Sequence, residues 1–172
     1  WQNFSDEQIL KMAGLWRVDQ NTGIAGYTLA ALLLFGKEGI VRSVLPHYKI
    51  DLLVRKDNLD RYDDRDYIEC NLIDAYDRIM DFIKKHLPDN FFMEDGIRRS
   101  LRTIIFREVA ANILVHREYR NAHPTILVIY RDRVEAQNAN NPIGEGELLP
   151  DSFSPFSKNP FIAKFFAQLG HV

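Results

Sequence analysis

One cysteine, Cys70, occurs in 172 residues. A single thiol excludes an internal disulfide framework, leaves no cysteine pair for a zinc site, and fits a reducing compartment. Long hydrophobic runs are also missing. The longest, LAALLLF from Leu29 to Phe35, is far short of the roughly 20 residues of a membrane helix, and no basic region followed by an apolar one opens the chain. Nor is there an excess of one charge: the formal net charge is −2, so nothing in the whole molecule argues for nucleic acid or an anionic membrane. Any such binding must come from a local patch. There is no P-loop, no nucleophile elbow, no repeat and no low-complexity tract. These absences lead to the expectation of a cytoplasmic protein with no membrane partner.

What is present is a composition that is 46% apolar, enough for a buried core in one domain or two small ones. The chain opens on Trp1 and stops at Val172 straight after FFAQLG, which reads as a segment of a longer protein. Helix signals start with Ser5 or Asp6 as N-cap and Ile9, Leu10, Met12 and Ala13 as the apolar face, and recur at Thr28, which caps LAALLLF before Gly36. NTGIAGY reads as a loop between them. YKIDLLVRK alternates as a strand, and the Asp- and Arg-rich RKDNLDRYDDRD after it as an exposed turn.

A long helix is expected over 68–87, with Leu72, Ile73, Tyr76, Ile79, Met80 and Ile83 at helical spacing. Pro88 stops it and marks the best internal boundary, dividing 1–88 from 89–172, packed together as one unit. NFFME reads as a strand, 101–119 as a helix, and TILVIYRDRVEAQN as a hairpin turning at Arg131 and Asp132. After a long loop over roughly 138–159, Asn159, Pro160 and Gly170 frame a last helix. The order is that of an α+β fold: helices packed on a mixed, largely antiparallel sheet.

The informative stretch is REVAANILVHREY, residues 107–119. As a helix it places Glu108, Asn112 and His116 at i, i+4 and i+8, three polar groups on one stripe of an otherwise apolar rod. Leaving such groups buried without partners costs about 1–3 kcal/mol each, so the stripe must face solvent or find partners. One reading is the wet face of an amphipathic helix. The other is a stripe that looks into a cleft. It is favoured by the narrowness of the polar face and by Asn, a poor residue for the middle of an exposed helix.

A Glu followed by Asn four residues on resembles the N-box of the ATPase fold shared by gyrase, histidine kinases and MutL (the GHKL fold). More specifically, the long stretch from LRTIIFREVAANILVHREY through DRVEAQNANNP, with SKNPFIAKFFAQLG and the upstream TLAALLLFGK, resembles bacterial transcriptional regulators related to the C-terminal part of RecG helicase. Such regulators usually carry an AlbA/Schlafen-type DNA-binding domain. The resemblance implies a GHKL-like C-terminal half. It makes Glu108 the acid that orients water in hydrolysing members, and Asn112 the residue that holds the magnesium ion bridging the nucleotide phosphates. His116, Arg117 and Tyr119 match the family's HRDY extension, with His116 and Arg117 counted among the nucleotide-side residues. Asn138 falls where the wider fold recognises the adenine amino group. An Asn carbonyl can still accept that bond.

Departures from the pattern weigh against hydrolysis. NANNP places bulky Asn where glycines let the backbone approach the nucleotide, Gly144 and Gly146 come a few residues late, and a further glycine motif is lacking. The expectation is therefore a ligand-sensing or assembly domain of a DNA-binding regulator that takes ATP and magnesium without hydrolysing ATP. DNA would be contacted through flanking domains, and the full-length protein would be a homo-oligomer. The alternative is a scaffold or dimerisation module with no ligand.

A third reading, direct nucleic-acid binding, rests on Arg98, Arg99, Arg102, Arg107, Arg117, Arg120, Arg131 and Arg133, which could hold phosphate or simply line a solvated face. The acidic run from Asp57 to Asp81 is a wet face or a docking surface for a sister chain. His116 and His123 are wrongly spaced for a helical metal pair, so no zinc site is expected. Phe161, Phe165 and Phe166, at helical spacing, read as core.

Overall fold

A computed structural model describes residues 4–57, 60–141 and 157–171. The loop expected over 138–159, with Gly144, Gly146, Phe153 and Phe156, lies mostly outside the described residues.

Helix α1 (Asp6–Met12) starts at Ser5, whose hydroxyl accepts from the Gln8 amide while the Gln8 side chain accepts from the Ser5 amide. That reciprocal pair satisfies two of the four free amides at the helix start. Next comes a short antiparallel hairpin, β1 (Trp16–Val18) and β2 (Ala25–Tyr27), locked by the edge-on packing of Trp16 and Tyr27 at 4.7 Å. The segment read as a loop thus holds a strand. Thr28 caps α2 (Leu29–Phe35) as expected, and Gly36 ends it. A side chain at Gly36 would place Cβ 2.4 Å from the Leu32 carbonyl oxygen, so only glycine fits there. Helix α3 (Glu38–Val44) follows at once.

The main sheet has the order β4-β3-β7-β8, with β3 (Ile50–Arg55) central and parallel to β7 (Thr125–Tyr130). Strand β4 (Asp64–Ile68) pairs antiparallel on one edge and β8 (Val134–Gln137) on the other. Two of the three pairings are antiparallel, so the fold is α+β on a mixed, largely antiparallel sheet. Strand β3 does not alternate between wet and dry: residues 50 to 54 are all buried, as suits a central strand. The stretch expected to be an exposed turn supplies β4, whose outer residues are charged as edge strands require.

Helix α4 (Leu72–His86) begins at its Asn71 cap, later than expected because Ile68 belongs to β4. It lays Leu72, Ala75, Ile79 and Ile83 in one core cluster with Ile50, Leu52, Leu127 and Ile129 of the sheet. The sheet and this cluster draw on residues from both sides of Pro88. A second hairpin, β5 (Phe92–Glu94) and β6 (Ile97–Arg99), leads into α5 (Leu101–Val115). Helix α6 (Pro160–Gln168) closes the core with Ile162 and Phe166, whereas Phe165 is only partly buried and Phe161 lies at the surface under Arg17.

Candidate functional site

Helix α5 ends at Val115, not at 119. His116 is its C-cap, with its amide bonded to the Asn112 carbonyl at 3.1 Å. The next three residues therefore leave the helix, and their side chains are free to turn inward. Glu108, Asn112 and His116 all lie exposed, and Asn112 Nδ2 donates to Glu108 Oε1 at 2.9 Å. The stripe continues toward the helix start as Leu101, Ile104 and Ile105, also exposed. The stripe is thus the wet face of the helix and does not look into a cleft as expected, because the outer face of α5 is wider than the sequence suggested, polar at one end and apolar at the other.

Arg117 departs most from expectation. It is 1% exposed, too deep to reach a phosphate at the surface. Its NH1 donates to the Lys49 carbonyl at 3.1 Å and to the Thr125 hydroxyl, and its NH2 to the His123 carbonyl at 3.0 Å. All of these acceptors are neutral, and the cation also lies beside the rings of Tyr48 and Tyr119, at 5.5 and 5.9 Å. Burial lowers the Arg117 pKa and pushes the phenols of Tyr48 and Tyr119 upward. The physical reason for the inward turn is the end of α5: a strand start and two loop carbonyls converge there, and although the Lys49 carbonyl also accepts from the Thr125 amide, the His123 carbonyl and the Thr125 hydroxyl take donors from Arg117.

The same hub takes in the other motif residues. The Thr125 hydroxyl donates to Asn138 Oδ1 at 2.7 Å, and Asn138 Nδ2 donates to the Ile113 carbonyl at 2.8 Å. Asn138 is therefore tied to the backbone near the end of α5, with both ends of its amide engaged. Asn159 donates to the carbonyls of Val115 and Arg117 at 2.9 and 2.8 Å. The Tyr119 hydroxyl reaches the Leu114 carbonyl at 2.7 Å, and the Tyr119 carbonyl meets His47 Nε2 at 2.9 Å. Three separated motifs, VHREY, DRVEAQN and SKNP, so converge on one turn. Asn159 and Thr125 were missed as members, since a helix cap and a strand threonine carry no sequence signal of a shared network.

The arginines do not form one patch. Arg99 pairs with Glu94, Arg102 with Asp89 and nearby carbonyls, Arg131 with Asp57, and Arg133 with Asp132 and Glu135. The acidic run is likewise answered within the chain. Asp66 pairs with Arg78, and Asp64 accepts from Lys85 at 2.6 Å and His86 at 2.9 Å. The Lys85 ammonium, the Arg65 amide and His86 hold the Asp64 carboxyl below its usual range. Among the described residues no helix is long and apolar enough to cross a membrane, and no cluster of three metal-binding side chains occurs.

Residues 1–51 match the model of a domain of unknown function, DUF8451. No curated protein matches the chain. Among solved structures, the DIP2311 protein from Corynebacterium diphtheriae is similar over 99% of this chain, with a TM-score of 0.64 and 16% identity. At that identity the likeness is one of fold. The chain spans 34% of that protein's length.

Proposed function

We propose that the chain is a regulatory module of a larger DNA-binding regulator, whose ligand face is the outer end of α5 and which takes an adenine nucleotide without hydrolysing it. The observation that carries this reading is the hydrogen-bonded pair of Glu108 and Asn112, exposed at N-box spacing, with Asn138 anchored on the neighbouring Ile113 carbonyl. Asn138 is thereby tied to the backbone of the helix that carries Glu108 and Asn112, which supports the resemblance to N-box proteins. In that arrangement Asn112 would hold the magnesium ion and Glu108 would sit beside it. The ion would supply charge neutralisation for the phosphates. His116 lies on the same exposed stripe. Arg117 acts from within, fixing the turn that presents Asn112.

The engagement of Asn138 at both ends weakens adenine recognition and supports a second reading, a module that assembles with other copies without a ligand. The exposed Leu101, Ile104 and Ile105 favour it, since apolar groups on a helix face gain from coverage. Calorimetric titration with ATP and magnesium tests the first reading. Saturable binding lost in Asn112→Ala supports it, and flat heats up to millimolar nucleotide overturn it. Light scattering tests the second, which a strictly monomeric chain overturns.

A further inference from the structure

The segment around α1, β2, α2 and α3 holds a groove of about 380 Å³ that the N-box reading leaves unused. Its apolar lining is Leu10, Ala31, Leu32 and Ile40 with the rings of Tyr27 and Phe35. Tyr27 is 69% and Ile40 55% exposed, so large apolar groups around one hollow meet water. The volume falls at the small end of the range of ligand sites, about 300–1,000 Å³. It lies wholly inside the segment that matches DUF8451.

Among the described residues one charged side chain lines the groove, that of Lys37. Of the nearby cations, Lys11 is paired with Glu7 at 2.6 Å, and Arg42 with Glu38 and Glu69. The Lys37 side chain has no hydrogen bond or ion pair among the described residues and does not cap α3. A single free ammonium beside an apolar hollow complements a molecule with an apolar body and one negative charge. A phosphate calls for more donors, as in a guanidinium fork or a nest of amides, and the lining has neither.

We propose that this groove binds a small amphipathic monocarboxylate, its alkyl or aryl body between Tyr27 and Phe35 and its carboxylate on Lys37. Such a ligand would give the regulator a signal input remote from α5, and the assignment does not depend on nucleotide binding there. The walls are fixed in advance. The Thr28 hydroxyl bonds the Leu15 carbonyl at 3.2 Å, and Gly36 lets α3 start directly against Leu32.

The test is a titration of the whole chain with octanoate and, as a neutral match, octanol, followed by backbone amide NMR shifts. Saturable octanoate binding with shifts confined to residues 10–40, and octanol at least about tenfold weaker, is expected. Lys37→Gln should weaken octanoate by about tenfold, roughly 1.4 kcal/mol, and leave octanol unchanged. Ile40→Asp, a change at an exposed position, should abolish octanoate binding with the fold intact by circular dichroism. No saturation up to millimolar octanoate, equal binding of both probes with no effect of Lys37→Gln, or a dimer that Ile40→Asp dissociates would each overturn the assignment.

Discussion

Arg65 holds Asp51 with both arms across adjacent strands, Nε to Oδ1 at 2.9 Å and NH2 to Oδ2 at 2.7 Å. The two partners are not equally buried: the Asp51 side chain is 10% exposed and that of Arg65 28%, and Arg65 also stacks on Tyr67 at 3.8 Å. Removing the arginine strands a carboxylate in a nearly dry place, whereas removing the carboxylate leaves a cation that keeps its ring and reaches water. Arg65→Met should therefore cost about 3 kcal/mol and Asp51→Asn nearer 1 kcal/mol. Urea unfolding of the two variants measures the difference. Equal costs would show that the pair is as wet as a surface ion pair.

Arg117 supports the turn after α5 with a rigid fork, and a lysine cannot copy that shape. One ammonium on a flexible stem cannot meet the Lys49, His123 and Thr125 oxygens together. Arg117→Lys should lose about 2–4 kcal/mol, the cost of leaving one or two buried acceptors unmet. Arg120→Lys, at an exposed position three residues on, should stay within about 0.5 kcal/mol. Thermal denaturation of the pair separates a structural arginine from a surface one.

The contrast between those two arginines shows where the sequence was legible. Helices framed by local signals were read where they occur: α1 after Ser5, one of two caps considered, α2 between Thr28 and Gly36, and α6 from Pro160, although Asn159 before it directs its side chain to other carbonyls. The hairpin of β7 and β8 was read from its turn. Elements without such signals were missed. Helix α3 starts after Lys37, which offers no side-chain cap, and β1, β2 and β6 have three residues each, too few to show a period, whereas β5 was read as a strand from NFFME. Strand β4 carries the composition of a wet turn because it is a charged edge. At the candidate site, the Glu108 and Asn112 pair followed from helical spacing alone. The inward turn of Arg117 did not, because its partners at 49, 123 and 125 are joined to it only by the folded sheet.

Acid should weaken the fold partly through Asp64. Its folded pKa lies below the ordinary carboxylate value near 4, chiefly because of the Lys85 hydrogen bond, then the Arg65 amide. A lowered folded value means the unfolded chain binds the proton first. The contribution of Asp64 is thus fully present above about pH 4 and is lost as pH falls through the lower, folded value. Asp64→Asn should be slightly less stable than the parent at pH 7, and the gap should close by about pH 2. The gap stays small because Lys85 is largely exposed, and added salt should shrink it further. Urea midpoints at the two pH values check both the sign and the size.

Asn112 bonds Glu108 on the outside of α5 and Asn138 bonds the Ile113 carbonyl of the same helix, so the two should answer mutation differently. Asn138→Ala leaves the Thr125 hydroxyl without its acceptor and the Ile113 carbonyl without its donor, in a partly buried place. That should cost about 1–3 kcal/mol. Asn112→Ala removes an exposed bond to Glu108 one turn earlier, worth about 0.2–0.5 kcal/mol, and gains a comparable amount in helix propensity, so stability should hardly move. If the end of α5 takes magnesium nucleotide, Asn112→Ala should lose that binding with its unfolding curve unchanged, while Asn138→Ala should weaken both together. Measured side by side, calorimetry and urea unfolding tell a ligand residue from a scaffold residue. An Asn112→Ala variant that binds nucleotide like the parent would place any ligand elsewhere than on the Glu108 and Asn112 pair.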